Sequence, residues 1–330
     1  MTAMVRGWCP SLARPMPTGD GLLARLSPPG GAMTADQARA LAAAALRHGS
    51  GVLQVTSRAA IQVRGLTAAS AECFASEITE AGFLDASRVV RPPLIGDDPA
   101  VASEVDALCT AIERALFEWS PLPKKFGVAV DAGGVLPTGE AGCDVVVRYG
   151  AGSWSVARGR RTERSAAPIG WHAYEVDERG AFVIALPFGM AKAVDFARLA
   201  SRMDGGTIRP TPWRAFALTG RNARAIGESS GGFIADPLDP RLKVFACPGA
   251  PSCGTAQVAT LEHASQIALL RLPYAVHVSG CTKGCAHPGA VPITLVGIDG
   301  CYALVRNGRA SDPPSSRGLN MLQPIAAVAA

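Results

Sequence analysis

This sequence of 330 residues is short of several things, and each shortage excludes a class of protein. It has no uninterrupted apolar run of the roughly eighteen residues that a membrane-spanning helix requires. The Ala-rich stretch Ala40–Ala45 is bracketed by Arg39 and Arg47. The opening segment MTAMVRGWCPSLARP contains no apolar core of secretory-leader length, so a cytoplasmic protein with no membrane partner is expected. Lysine is scarce, since only five of the 32 basic residues are Lys. Basic runs and basic stripes interleaved with aromatics are also missing, which argues against nucleic acid as a partner. No pair among the five His has helix-face or knuckle spacing, so a histidine-built metal site is not expected; His287, just after Cys285, is the one to watch. A dinucleotide-binding fingerprint in its strand-to-helix setting is missing too, so any nicotinamide electrons have to arrive through another protein.

Much else is plentiful. Hydrophobic residues make up 48% of the chain and charged residues 18%, with 36 Gly and 25 Pro, the composition of a folded protein rich in turns. The length allows a large core and more than one domain. The net charge of +5 rests on Arg, which either reflects a compositional bias or suits an anionic ligand, because guanidinium grips carboxylates in bidentate fashion.

Nine Cys, an odd number, argue against a disulfide framework and leave a metal site or scattered core thiols. Four of them form two pairs, CPGAPSC with Cys247 and Cys253 and CTKGC with Cys281 and Cys285. Both pairs lie in Gly/Pro-rich segments, where backbone can fold tightly around an inorganic core, and an iron–sulfur cluster with four irons takes four converging thiolates. Structural zinc favours tighter Cys-x2-Cys knuckles. Lys283, inside the second pair, would offset the negative charge of a thiolate-ligated cluster. Cys73 and Cys109 fall in amphipathic helices and read as core thiols, Cys143 and Cys301 begin strands, and Cys9 beside several Arg is ambiguous.

The chain reads as alternating strands and helices. Gly21–Ser27 is a strand, and Thr34 with Gln37 forms a capping box for a helix that ends at Gly49. Gly51–Thr56 and Ala60–Gly65 are short strands, and Thr67 caps a second helix that stops near Gly82. A related order returns in the strand Ala181–Pro187, the helix Ala191–Met203 and the extended segment Thr207–Leu218. In both passages a Thr-x-Arg follows the helix, Thr56-Ser57-Arg58 and then Thr211-Pro212-Trp213-Arg214 with one residue inserted, which points to an internal duplication. Between the repeats a helix is predicted over Pro99–Trp119, then strands at Val128–Asp131 and Cys143–Tyr149. A helix over Ala256–Leu270 and strands at Pro292–Gly297 and Tyr302–Arg306 close the chain, with a poorly ordered tail expected from Ser311.

A Cys-x5-Cys pair followed by Cys-x3-Cys resembles the sulfite and nitrite reductase superfamily. Thr56–Gly65 (TSRAAIQVRG) resembles its Thr-x-Arg…Gln-x-Arg-Gly strand pair, RPPLIGDDP its Pro-Leu-x-Gly-x-Asp-Pro segment and LPKKFGVAVD its Leu-Pro-x-Lys-Phe strand, in the family's order from about Trp8 to Asp299. The segments VRGWCPSLARPMPTGDGLLARLSPP, TPWRAFAL and SGCTKGCAHPGA resemble the precorrin-3B synthase branch. The resemblance implies an α+β, pseudo-two-fold duplicated architecture with ferredoxin-like half-domains and mixed sheets. It divides the chain into a first ferredoxin-like half-domain at 1–85, a cluster-free catalytic half at 86–150, a second ferredoxin-like half-domain at 151–227 and a cluster-binding catalytic half with a flexible tail at 228–330.

It also implies a [4Fe-4S] cluster on Cys247, Cys253, Cys281 and Cys285, and a second iron centre that is either non-haem iron or sirohaem. The implied reaction hydroxylates precorrin-3A, a carboxylate-rich tetrapyrrole, using O2 and NADH-derived electrons from a donor protein, and closes a lactone. Arg58, Arg88 and Lys125 would hold substrate carboxylates, while Gln62 and Lys283 would serve the cofactors. The rival readings are a sirohaem-dependent sulfite or nitrite reductase and a non-catalytic cluster or tetrapyrrole carrier. Two departures stand out: Gly127 replaces the second Lys of the reductase pattern, and Ser87-Arg88 stands where Arg-Asn is usual.

Overall fold

The computed structural model describes residues 9–119, 121–123, 125–159, 166–175 and 179–320. The chain forms two compact units, one of Gly7–Met16 with Leu22–Pro237, the other containing Pro17–Gly21 and the chain from Leu238 onward.

In the larger unit the first repeat begins with the strand Gly21–Ser27. The helix Ala35–His48 starts where the sequence signals it. Thr34 Oγ1 accepts from the Gln37 amide at 3.2 Å, and the Thr34 amide donates to Gln37 Oε1 at 3.1 Å. Ala38, Leu41, Ala42 and Ala45 recur at helical spacing and are buried. The strands Val52–Val55 and Ile61–Leu66 pair antiparallel, with Leu53 opposite Val63, and the latter strand also pairs with Gly21–Ser27. Alternation sends Ile61 and Val63 into the core and turns Gln62 and Arg64 to the other face. The helix Ala68–Glu80 follows.

The second repeat has the strand Gly180–Ala185, the helix Ala193–Ser201, the strands Ile208–Pro210 and Ala215–Leu218, and the helix Ala223–Glu228. In both repeats the last strand lies between the other two. The turns also match. The Ala59 amide donates to Thr56 O at 3.1 Å and the Arg214 amide to Thr211 O at 3.2 Å, with both residues at positive φ. The turns therefore have equal length, and Arg214 stands where Ala59 does. The inserted residue expected from the two Thr-x-Arg motifs does not exist, and the position of Arg58 is taken by Trp213.

The repeats exchange edges. Met33, ahead of the first helix, bridges Ile208 after the equivalent helix, and Met190–Lys192, ahead of that helix, pairs with Val52–Gln54 after the first one. The two helices pack together, and one core holds Leu41, Phe74, Phe196 and Phe216.

A third sheet in this unit, beside one for each repeat, runs Val89–Val90, Val128–Asp131, Val145–Gly150 and Ser153–Arg158, parallel twice and then antiparallel. In the smaller unit the sheet runs Val244–Ala246, Val276–Ser279, Val291–Ile298, Cys301–Gly308 and Ser316–Leu319, with the same parallel, parallel, antiparallel start. In each, a helix connects the first two strands: Val105–Glu118 in the larger unit and Thr260–Leu269 in the smaller.

Two expectations shift. The helix predicted from Pro99 begins at Val105, because Asp98 folds the preceding segment by accepting from the Ala100 amide at 2.9 Å and the Val135 amide at 2.8 Å. The tail from Ser311 contains the paired strand Ser316–Leu319. Its Ala-rich end, 321–330, lies outside the described residues, as do Val5–Trp8 of the N-terminal motif.

Candidate metal centre and cleft

The four paired cysteines all lie in the smaller unit, and its topology brings the first cysteine of each pair to neighbouring strand ends. Val244–Ala246 and Val276–Ser279 are parallel neighbours with Ala246 beside Val278, so the loops leaving their carboxyl ends emerge side by side. Cys247 follows the first strand directly, Cys281 follows the second, and such carboxyl ends are where open α/β sheets place ligands. The Gly280 amide donates to Cys247 Sγ at 3.2 Å. Thr255 Oγ1 lies 3.3 Å from Cys253 Sγ and 3.8 Å from Cys281 Sγ. Cys285 has its thiol pKa pushed up to about 11, first by desolvation and then by the charges of Cys247, Cys281 and Cys253, with Lys283 opposing. Burial likewise raises Cys247. The close backbone approach depends on missing side chains. A Cβ on Gly280 would meet Ala256 Cβ at 2.6 Å, and one on Gly249, where φ is +68°, would meet Thr260 Oγ1 at 2.4 Å.

No three His, Cys, Asp or Glu side chains among the described residues could together hold a single metal ion. A four-iron cluster puts one thiolate on each iron and so spreads its ligands more widely than one ion does. Four thiols within electrostatic reach of one another, with an amide N–H donating to Cys247 and the charge of Lys283 acting on Cys285, fit that donor set.

The other candidate residues lie in the larger unit. Arg58 donates to the carbonyls of Lys125 at 2.8 Å and Gly142 at 3.2 Å. It lines a cleft of about 580 Å³ with Arg88, Arg91, Glu113, Phe117 and Trp119. Arg91 is taken by Glu113 at 2.8 Å and by Asp106 at 2.5 Å, whereas Arg88 is exposed on the cleft wall. Lys125 is exposed, and its carbonyl is the group that Arg58 engages. Gln62 is buried. Its amide oxygen faces Arg25 Nη2 at 2.7 Å and Nε at 2.9 Å, and its nitrogen faces Gln54 Oε1 at 3.0 Å.

Arg25 was not singled out in the sequence. Burial lowers its pKa, while the charge of Cys9 opposes and that of Arg58 reinforces the shift. The available signal was its alternation in GLLARLS, which puts it on the face opposite the core and directly across from Gln62. Among the remaining thiols, Cys109 is buried and its pKa is pushed up to about 12, as a core thiol should be. Cys73, also expected in the core, is exposed because the helix buries Ala71, Phe74 and Ile78 instead.

The nitrite/sulfite reductase ferredoxin-like half domain matches residues 14–81. The solved structure of Mycobacterium tuberculosis NirA protein superposes with a TM-score of 0.66 at 14% identity, covering 90% of this chain and 77% of that one. The fold is thus the duplicated sulfite/nitrite reductase-like fold. A precorrin-3B synthase from Sinorhizobium sp is 31% identical over 394 residues, covering 96% of this chain and 86% of that protein. The chain belongs to the precorrin-3B synthase family, and with it to the oxidoreductases of cobalamin biosynthesis. No helix among the described residues is long and apolar enough to cross a membrane.

Proposed function

We propose that this chain hydroxylates precorrin-3A in the cytoplasm, using O2 and NADH-derived electrons handed over by a donor protein, and that lactone closure accompanies the hydroxylation. One oxygen atom enters the substrate and the other leaves as water with the electron pair of NADH. Cys247, Cys253, Cys281 and Cys285 would hold a [4Fe-4S] cluster, which supplies one-electron transfer when bound. The observation that supports the reading is that Cys247 and Cys281 leave neighbouring parallel strands and that all four thiols lie within electrostatic reach of one another, in a member of this family.

The chain's own groups then have distinct tasks. The Gly280 N–H donates to Cys247 Sγ and stabilises its thiolate, and Lys283 offsets negative charge at Cys285. Arg88, exposed on the cleft wall, binds a substrate carboxylate. Arg58 fixes the Lys125 and Gly142 loops behind it, and Lys125 reaches carboxylates from one of those loops. Gln62 orients Arg25 toward a cofactor or substrate group. A second iron centre, non-haem iron or sirohaem, would handle O2, and the absorption spectrum of the purified protein separates the two. The proposed division remains 1–85, 86–150, 151–227 and 228–330, with the cluster in the last part.

The test is anaerobic purification, iron and sulfide analysis, and incubation with precorrin-3A, O2 and a reductant. Hydroxylated lactone product is expected. An intact cluster without product would point to a carrier, and sulfite-dependent oxidation of a reduced dye to a reductase. Cys281→Ala should lose most of the cluster iron and sulfide while the circular dichroism stays unchanged, and full retention of both would rule out this ligand set.

A further inference from the structure

We propose that Thr255 is a positioning residue for the cluster assigned to the four cysteines, its one hydroxyl hydrogen serving a thiolate of each pair and making the cluster easier to reduce. The proposal rests on the cluster reading above and adds a task for a residue outside the two cysteine motifs.

Main-chain bonds put Thr255 between the two pairs. Cys253 opens a tight turn in which the Ala256 amide donates to Cys253 O at 2.9 Å. The next amide, that of Gln257, donates to Gly280 O at 2.9 Å, which ties the turn to the residue just ahead of Cys281. Gly280 permits the approach, since any Cβ there would collide with Ala256. Thr255 thus hangs from one cysteine loop and is pinned against the other. Its Oγ1 lies 3.3 Å from Cys253 Sγ and 3.8 Å from Cys281 Sγ.

The chemistry of these atoms fixes the direction of the bond. Between a thiol and a hydroxyl either group can donate, but a ligating thiolate has lone pairs alone, so the hydroxyl has to be the donor. It carries a single hydrogen. The shorter distance gives Cys253 the larger share and leaves Cys281 the weaker branch. The neighbouring donors are arranged differently. The Gly280 amide serves Cys247 at 3.2 Å, and Thr260 Oγ1, 3.9 Å from Cys247 Sγ, directs its hydrogen to Cys247 O at 2.5 Å. Thr255 is the side chain whose hydroxyl faces a sulfur of both pairs.

A hydrogen bond to sulfur strengthens as negative charge on the sulfur grows. One electron from the external donor raises that charge, while no covalent bond breaks and no proton changes owner. The bond is therefore stronger in the reduced state than in the oxidised one, and it raises the midpoint potential, as hydrogen bonds to cluster sulfurs do. Thr255 is exposed, so water screens the bond and keeps the effect moderate. Removing the hydroxyl should shift the one-electron equilibrium against reduction by about three- to tenfold, a tenfold shift being about 59 mV in midpoint potential.

The test is a redox titration of anaerobically prepared holoprotein, followed by electron paramagnetic resonance of the reduced cluster. Wild type is compared with Thr255→Val, Thr255→Ala and Thr255→Ser, and iron and sulfide content is measured on each. Val matches Thr in shape, keeps water from taking the place of the hydroxyl, and should show the full fall in potential. Ala admits water beside Cys253 and should show a smaller fall. Ser retains the hydroxyl and should stay at the wild-type potential. A Thr255→Val variant at the wild-type potential would overturn the role and leave the cluster assignment standing, and so would a Thr255→Ser variant as low as Val. Where Val does not assemble the cluster, Thr255→Ala at the wild-type potential has the same meaning. A wild type without iron, sulfide or a cluster signal would overturn both.

Discussion

A Cβ on residue 127 would sit 2.8 Å from Nη1 of Arg58 and 3.3 Å from Cys143 Sγ. Gly127 is therefore what lets the guanidinium reach the Lys125 and Gly142 carbonyls, and the side chain that the reductase pattern places there could not coexist with Arg58 as it stands. Gly127→Ala should push Arg58 off one of these carbonyls and lower the unfolding free energy by about 1–3 kcal/mol, read from urea denaturation. Gly127→Lys should behave no better and should gain no sulfite reduction. A second residue-scale expectation concerns Asp97, whose Oδ2 lies 2.7 Å from Nη2 of the buried Arg209. Asp97→Ala leaves a buried cation uncompensated and should cost about 3–5 kcal/mol, with part of the loss recovered when Arg209→Met is added, again by denaturation. Both Asp of the PLIGDDP segment are thus structural, Asp97 in this pair and Asp98 through amide caps, although the motif suggested only kinship. The grouping of the four cysteines within electrostatic reach of one another was legible because their spacing is itself chemical information. Arg25 was not, since its value comes from standing opposite Gln62, and register across a sheet is not written in local sequence.

Individual elements were legible where a cap announces them. Thr34 with Gln37 and Thr67 mark helix starts that the structure reproduces, because capping is settled within a single turn. Of the strands that deliver the cysteines, Val244–Ala246 and Val276–Ser279, the first was missed and the second was expected only as a strand without bounds between the two pairs. They are short, buried and parallel, so neither alternation nor a hairpin turn marks them. The turn Pro240–Lys243 just ahead of the first of these strands carries its own electrostatic signature. Arg241 donates to both carboxylate oxygens of Asp239, and this hydrogen bond, ahead of the opposing desolvation, holds the carboxyl below its ordinary range. A carboxyl depressed in the folded state stabilises it fully above the unfolded value of about 4, and that contribution drains away as pH falls through the folded value. Asp239→Asn should therefore lower the melting temperature at neutral pH, and the gap to wild type should close as the pH is taken below about 4. A gap that stays constant through acid would mean that the pair contributes nothing by its charge.

On the scale of the molecule, duplication governs what can stand alone. The sequence hinted at two repeats through a shared order of elements and a shared Thr. What it did not show was the exchange of edges, because Met33 with Ile208 and Met190–Lys192 with Val52–Gln54 lie far apart along the chain. Each repeat completes the other, and the helices Ala35–His48 and Ala193–Ser201 cover each other's apolar faces within one core. A fragment holding only the first repeat would expose Leu41, Ala42 and Ala45 together with an unpaired edge at Val52–Val55, which is a template for aggregation. Residues 9–150 produced alone should thus be insoluble or should bind hydrophobic dyes without cooperative melting. Co-production with residues 166–237 should restore solubility and a single unfolding transition, because the missing edge and helix face are then supplied in trans. Cooperative melting of the first fragment by itself would mean that the exchanged edges are a by-product of duplication. Loss of folding in the absence of the second repeat would mean instead that the two copies have become a single cooperative unit, with the cleft of Arg58 and Arg88 carried on it.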